Sequence, residues 1–146
     1  MTSSIIVAEF TRPADTNAYA IGDVISNDTS AGVAMPLSSG GGSMVRVSIL
    51  KSTNAVNLTQ SLALFRTDPG TVNDNAAFAL TYANRATWIA TLAMATPVVV
   101  GSVSHAELVL SQPLPLPAGT LYGVLIATAA VAAGNAEQFS VRLHIA

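Results

Sequence analysis

The chain has no cysteine among its 146 residues. That excludes a disulfide framework and any thiolate metal site, and it fits assembly in a reducing compartment. Charge is nearly as scarce. Asp, Glu, Lys and Arg make up 10% of the sequence, against roughly 25% in an average soluble domain. There is one lysine, Lys51, and the arginines stand apart at 12, 46, 66, 85 and 142. With a net charge of −2 and no basic cluster, the phosphate grip that nucleic-acid binding needs is missing. Long apolar runs are absent too. The best, LYGVLIATAAVAA at 121–133, is interrupted by Gly123 and stops at Gly134-Asn135, whereas a spanning helix needs about 20 apolar residues. MTSSIIVAEFTR has no basic region ahead of its apolar run, so neither a signal peptide nor a membrane segment is expected.

What remains is an apolar chain, 51% hydrophobic, of one domain's length, read as a single domain over 1–146. A charge-poor surface is a solubility liability for a monomer. It is easier to understand when other copies cover it, so a homo-oligomer is expected.

Period-2 alternation dominates the pattern. In SMVRVSILK (43–51), Val45, Val47 and Ile49 are expected on the core face, with Arg46 and Ser48 opposite. QFSVRLHIA (138–146) sets Phe139, Val141, Leu143 and Ile145 against Ser140, Arg142 and His144. QSLALFRT (60–67) ends at the turn signal Asp68-Pro69-Gly70. SSIIVAEFT, HAELVLSQPL and TLYGVLIATAA read as further strands, the last two joined through PLPLPAG. There, Pro113, Pro115 and Pro117 lack donors and predict an extended edge or crossover with leucines dipping into the core. Residues 87–95 read as strand, which places Trp88 in the core. A helix over 75–84, capped by Asp74 or Asn75, stays open. Residues 27–43, with Gly40-Gly41-Gly42, read as a long flexible loop. Seven or eight strands, long loops and little helix predict an all-β fold, a single antiparallel β-sandwich. The proline crossover suits a jelly-roll or Greek-key route.

Chemistry is hard to find. The only histidines are His105 and His144. Both read as strand residues, and Ser104 beside His105 points to the opposite face. Two histidines without cysteine make no zinc site. DPGTVNDN (68–75) lacks the spacing and terminal glutamate of a calcium loop and reads as a surface turn. The triple glycine is followed by a strand and no lysine, unlike a phosphate loop. Glu9, Glu107 and Glu137 could be nominated as paired carboxylates, but nothing marks any two as neighbours. No catalytic residue, metal or cofactor is expected, and the chain is read as not an enzyme.

One polar, turn-rich stretch interrupts the apolar pattern: EFTRPADTNAYAIGDVIS, residues 9–26. Pro13 ends the preceding ladder, and Asp15 can close an Asx-turn. Tyr19 can bury its ring while its hydroxyl finds a partner. Gly22-Asp23 opens the short strand DVIS. Each residue has a folding reason, so the stretch reads first as a corner.

The same residues carry a resemblance. FTRPADTNAYAIGDVIS, followed by a Ser/Gly-rich loop and SMVRVSILK, resembles tailed-phage virion structural proteins, in which RPADT-x-x-Y-x-x-GDV precedes a small β-rich domain. The resemblance implies Arg12, Pro13, Asp15, Tyr19, Gly22 and Asp23 as shared architecture and carries no activity with it. It implies a capsid decoration or cement protein, a trimer on the outer surface of the head, with the major capsid protein as partner. It also implies assembly in the host cytoplasm, without nucleic acid or membrane as partners. A carbohydrate- or receptor-binding module of a head fibre or tail is the alternative, with Trp88 and Tyr19 as the aromatics to inspect. SSIIVAEF reads as the sandwich's own first strand or as an arm added to a neighbouring chain.

Overall fold

The computed structural model describes residues 4–146. Ten strands and one helical turn follow in order: β1 (Ser4–Thr11), β2 (Val24–Ile25), β3 (Met35–Gly40), β4 (Ser43–Lys51), β5 (Gln60–Phe65), α1 (Tyr82–Arg85), β6 (Trp88–Ala93), β7 (Val98–Val100), β8 (Val103–Pro115), β9 (Ala118–Ala127) and β10 (Gln138–Ile145). One sheet runs β1-β10-β4-β8-β7 and the other β2-β9-β5-β6, with β3 also paired to β9. Every pairing is antiparallel. β1 with β10, β2 and β3 with β9, β4 with β8 and β5 with β6 form nested pairs, the order of a ribbon rolled into a jelly-roll-like sandwich. β1 pairs with β10 of its own chain from Ser4↔Ile145 to Thr11↔Gln138. The apolar start is therefore a strand of its own sandwich; Met1–Ser3 lie outside the described residues.

Alternation builds the core. Phe139, Val141, Leu143 and Ile145 of β10 face inward with Met44, Val47 and Ile49 of β4. Leu62, Leu64, Leu121 and Leu125 meet them from the second sheet, every one of these leucines fully buried. Such a side chain contributes about 1.5–3 kcal/mol on leaving water. Phe10 stacks on Phe139 at 5.1 Å. On the far side of the second sheet, Val24, Ala63, Phe65 and Val124 form a smaller cluster closed by Phe78 and Val72 of the long 66–81 connection.

Several expectations need correction. Val45 does not face the core. The β4–β8 register shifts between Met44 and Arg46, so Met44 is fully buried instead. Residues 27–43 are not all loop, because they contain β3, whose Met35, Leu37 and Ser39 are buried. The triple glycine is a corner rather than a flexible linker. Gly41 and Gly42 have φ of +86° and +99°, and a Cβ on Gly42 would meet Ile145 Cγ2 at 2.8 Å. The open helix shrinks to the single turn α1, capped by Thr81 rather than Asp74 or Asn75. β8 continues through Pro113 to Pro115 before crossing over, with Leu114 and Leu116 packed on the core as the Pro-Leu pattern implied. Trp88 is not core: it stands on the edge strand β6, 44% exposed.

Candidate functional site

The motif residues gather into a buried polar knot. The chain leaves β1 at Arg12, whose side chain is fully enclosed. A guanidinium has five N–H donors and no acceptor, and here all of its nitrogens are engaged. Nε donates to Tyr19 Oη at 2.9 Å. One terminal nitrogen donates to the carbonyls of Pro13 (3.1 Å), Asp15 (2.5 Å) and Gly134 (3.0 Å). The other reaches Asp15 Oδ1 at 2.8 Å and Asp74 Oδ2 at 3.4 Å. Tyr19 Oη in turn donates to Asp74 Oδ1 at 2.6 Å, which also accepts from the Ser26 amide at 2.9 Å. Burial and the bond to Asp74 push the Tyr19 hydroxyl far above its ordinary pKa. Burial works against the Arg12 charge, but the bonds to Asp15 and Tyr19 more than offset it and raise its pKa.

Asp15 also accepts from the Asn17 amide at 3.1 Å, the anticipated Asx-turn. Gly22 takes φ +95° and ties β9 to the 66–81 connection, donating to Ala127 O and accepting from Phe78 N. Asp23 accepts from the Ala20 amide at 2.8 Å. The structure thus brings Arg12, Pro13, Asp15 and Tyr19 together and sets Gly22 and Asp23 at the start of β2. Reading the sequence missed Asp74. Its place in DPGTVNDN reads as a surface turn or a helix cap, and the only hint is that a buried arginine needs more than one acceptor. With its donors used internally, the knot offers nothing to a ligand. It welds the corner after β1, the entry to β2 and the 66–81 connection.

The histidines do not build a nucleophile. Ser104 is buried and donates to Thr53 O at 2.9 Å. His144 does lie 3.1 Å from Ser48 Oγ through Nε2, but its Nδ1 faces an Arg46 nitrogen at 3.1 Å. Arginine can only donate, so Nδ1 must accept and Nε2 carries the proton. The imidazole therefore donates to Ser48 and cannot take its proton. Burial, then the Arg46 charge, lowers the His144 pKa and keeps it neutral. The nominated carboxylates are separately engaged: Glu107 pairs with Arg46 at 2.9 Å, Glu9 accepts from Ser140 at 3.4 Å, and buried Glu137 accepts from Thr53. Among the described residues no group of His, Asp or Glu could hold a metal ion. The sole lysine is buried, its Nζ donating to Ala55 O at 2.6 Å and Leu58 O at 2.9 Å.

Two clefts open on the outer face of the first sheet. The smaller, about 350 Å³, crosses one end of β1, β10, β4 and β8. Register arranges its lining in two rows. Glu9, Ser140 and Leu50 lie side by side, and Thr11, Gln138, Ser52 and Val103 follow in the next row. The larger, about 800 Å³, lies at the other end, between Ile5, Arg46, Val109 and His144. Trp88 and Tyr19 line neither. Trp88 is held by its own indole N–H, which donates to Thr91 Oγ1 at 3.0 Å.

No family model and no curated protein sequence matches the chain. Solved structures to which the chain shows some likeness include a chain of the acidic stable capsid of Helicobacter pylori bacteriophage KHP30, 17% identical with a TM-score of 0.36 over 99% of this chain and 86% of that one. The vertex protein P5 of PRD1 is 8% identical, with a TM-score of 0.36 over 96% of both chains. A low-affinity xylan-binding module from Roseburia intestinalis is 13% identical, with a TM-score of 0.34 over 100% and 97%.

Proposed function

We propose that the chain is an adhesive structural protein of a phage virion, a capsid decoration or cement protein that acts by surface contact and catalyses no reaction. The observation that carries this reading is the outer side of the first sheet. Ile5, Val7, Val98, Val100 and Val109 are all about half exposed or more, and they flank a polar centre of Arg46, Glu107 and Arg142 on that face. The phage-like motif supports it from another direction, since its polar groups are used to hold the fold. Homotrimers fit three-fold positions on a head, because a three-fold site presents three equal contacts. In this mechanism trimerisation covers part of the aliphatic surface, and the remainder grips neighbouring capsid subunits. Cryo-electron microscopy of virions from the phage that encodes the chain tests this: density for the sandwich on the outer head is expected. Intact virions without the protein would overturn the reading.

A second reading, a carbohydrate- or receptor-binding module of a head fibre or tail, is favoured by one observation. Trp88 is exposed on β6, and Tyr82, 87% exposed, lies six residues before it in α1. Exposed aromatics stack on sugar rings.

A further inference from the structure

We infer that the smaller cleft on the outer face of the first sheet is a binding site for a neutral saccharide. The inference deepens the second reading, moves its site away from Trp88, and stands apart from whether the protein is found on a virion.

The cleft is built by regular structure rather than by loops. Four paired strands present their outward residues in two rows, so the side chains are held at strand spacing, about 4.8 Å between neighbours. The floor is apolar where Leu50 and Val103 lie, which suits the C–H face of a sugar ring. Around it stand hydroxyls of Thr11, Ser52 and Ser140, the amide of Gln138 and the carboxylate of Glu9. Glu9 has no cation within ion-pair distance among the described residues; its one hydrogen bond is the long 3.4 Å contact from Ser140. An exposed carboxylate with free lone pairs is an acceptor for hydroxyl donors, and bonds to a charged acceptor are the stronger kind. Among the described residues the side chain of Gln138 makes no hydrogen bond, so its acceptor and its donors face the cleft unengaged by them.

The charge of the lining selects the class. Lys51, the one cation in the lining, turns its ammonium inward to Ala55 O and Leu58 O, and Arg142 at the margin donates its Nε to Ser140 Oγ at 3.4 Å. An anionic ligand would meet the Glu9 carboxylate, which has no ion-pair partner among the described residues, and a purely apolar one would leave Glu9 and the Gln138 amide short of partners. A neutral polyhydroxylated ligand satisfies both. The volume of about 350 Å³ is at the small end of ligand sites, which fits one or two sugar rings and weak affinity.

The test uses the full chain, titrated with neutral oligosaccharides of glucose, galactose, xylose and N-acetylglucosamine and followed by NMR. At least one should bind with a Kd on the order of 1 mM, shifting backbone amides of β1, β4 and β10 around Glu9, Leu50 and Gln138. Glu9→Gln should weaken it by about tenfold, the loss of one charge-assisted hydrogen bond, and Gln138→Ala by less. Trp88→Ala should leave it unchanged. Both altered cleft residues are on the surface, so circular dichroism should show unaltered folding. Binding lost in Trp88→Ala but retained in Glu9→Gln would overturn the inference in favour of an aromatic platform. Absence of binding to all four series would overturn it outright.

Discussion

Replacing Arg12 with methionine tests the buried knot most severely. The substitution keeps the apolar stem and removes the guanidinium. Asp74, itself buried, would then face only Tyr19 and the Ser26 amide, and the carbonyls of Pro13, Asp15 and Gly134 would lose their shared donor. Breaking one side of a buried ion pair costs about 3–5 kcal/mol, because the remaining charge is left uncompensated. For a chain of this length that is a fall in Tm of about 10–15 °C. Urea unfolding followed by far-ultraviolet circular dichroism gives the free energy, and an unchanged m-value would show that the unfolded state is not what moved. The double variant Arg12→Met, Asp74→Leu separates pairing from packing. With both charges gone, at least about 1 kcal/mol of the loss should return. The reasoning is refuted if Arg12→Met costs less than about 1 kcal/mol, or if the double variant is less stable than the single one by the full cost of Asp74→Leu alone.

Three further outcomes are expected. The His144 pKa is lowered by burial and Arg46, so the unfolded chain binds that proton more readily; its stabilising contribution is complete above about pH 6.5 and is lost as pH falls through the folded value. Denaturant midpoints should therefore drop between pH 7 and pH 5, and His144→Gln should flatten that step. Asp15 and Asp28, whose pKa values are lowered by hydrogen bonds from Arg12 and from the Ser30 amide respectively, add their loss only at lower pH. Lys51 should resist acylation by an amine-reactive ester in the folded protein and react on unfolding, as peptide mass spectrometry would show; rapid native labelling would contradict its burial. Gly42→Ala should lower stability by about 1–2 kcal/mol in urea titrations, from positive φ and contact with Ile145 together, whereas Gly40→Ala, which meets open space, should cost less.

Strands whose side chains divide cleanly between core and solvent were legible from the amino-acid pattern. β10 is the plainest case: its four inward residues are the four the alternation picks out. The short strand β2 was legible in DVIS, but two others were hidden for physical reasons. β7 is too short to show a period. β3, MPLSSG, buries Ser39 and carries Pro36 and Gly40, so its composition reads as loop and only pairing with β9 makes it a strand. The bulge at Val45 is an extra residue of β4 against β10, where consecutive His144 and Ile145 pair with Arg46 and Met44, and only that pairing reveals it. Trp88 was misplaced because alternation tells two faces apart but not which one is covered, and β6 is an edge. The corner after β1 was legible in Arg12, Pro13, Asp15 and Tyr19. Its closing partner, Asp74, was not, since 62 residues of chain separate it from Arg12 and only the roll of the sheets brings them together. The cleft was invisible for the same reason: its rows are made by register between β1, β10, β4 and β8.

The proposed role rests on contact between copies, and the solution mass tests that most directly. Light scattering on a size-exclusion column should give a stable trimer, three times 14.9 kDa, unchanged on dilution. A monomer of 14.9 kDa at all concentrations would contradict the account, because the aliphatic residues of the first sheet would then stand in water with no copy to cover them.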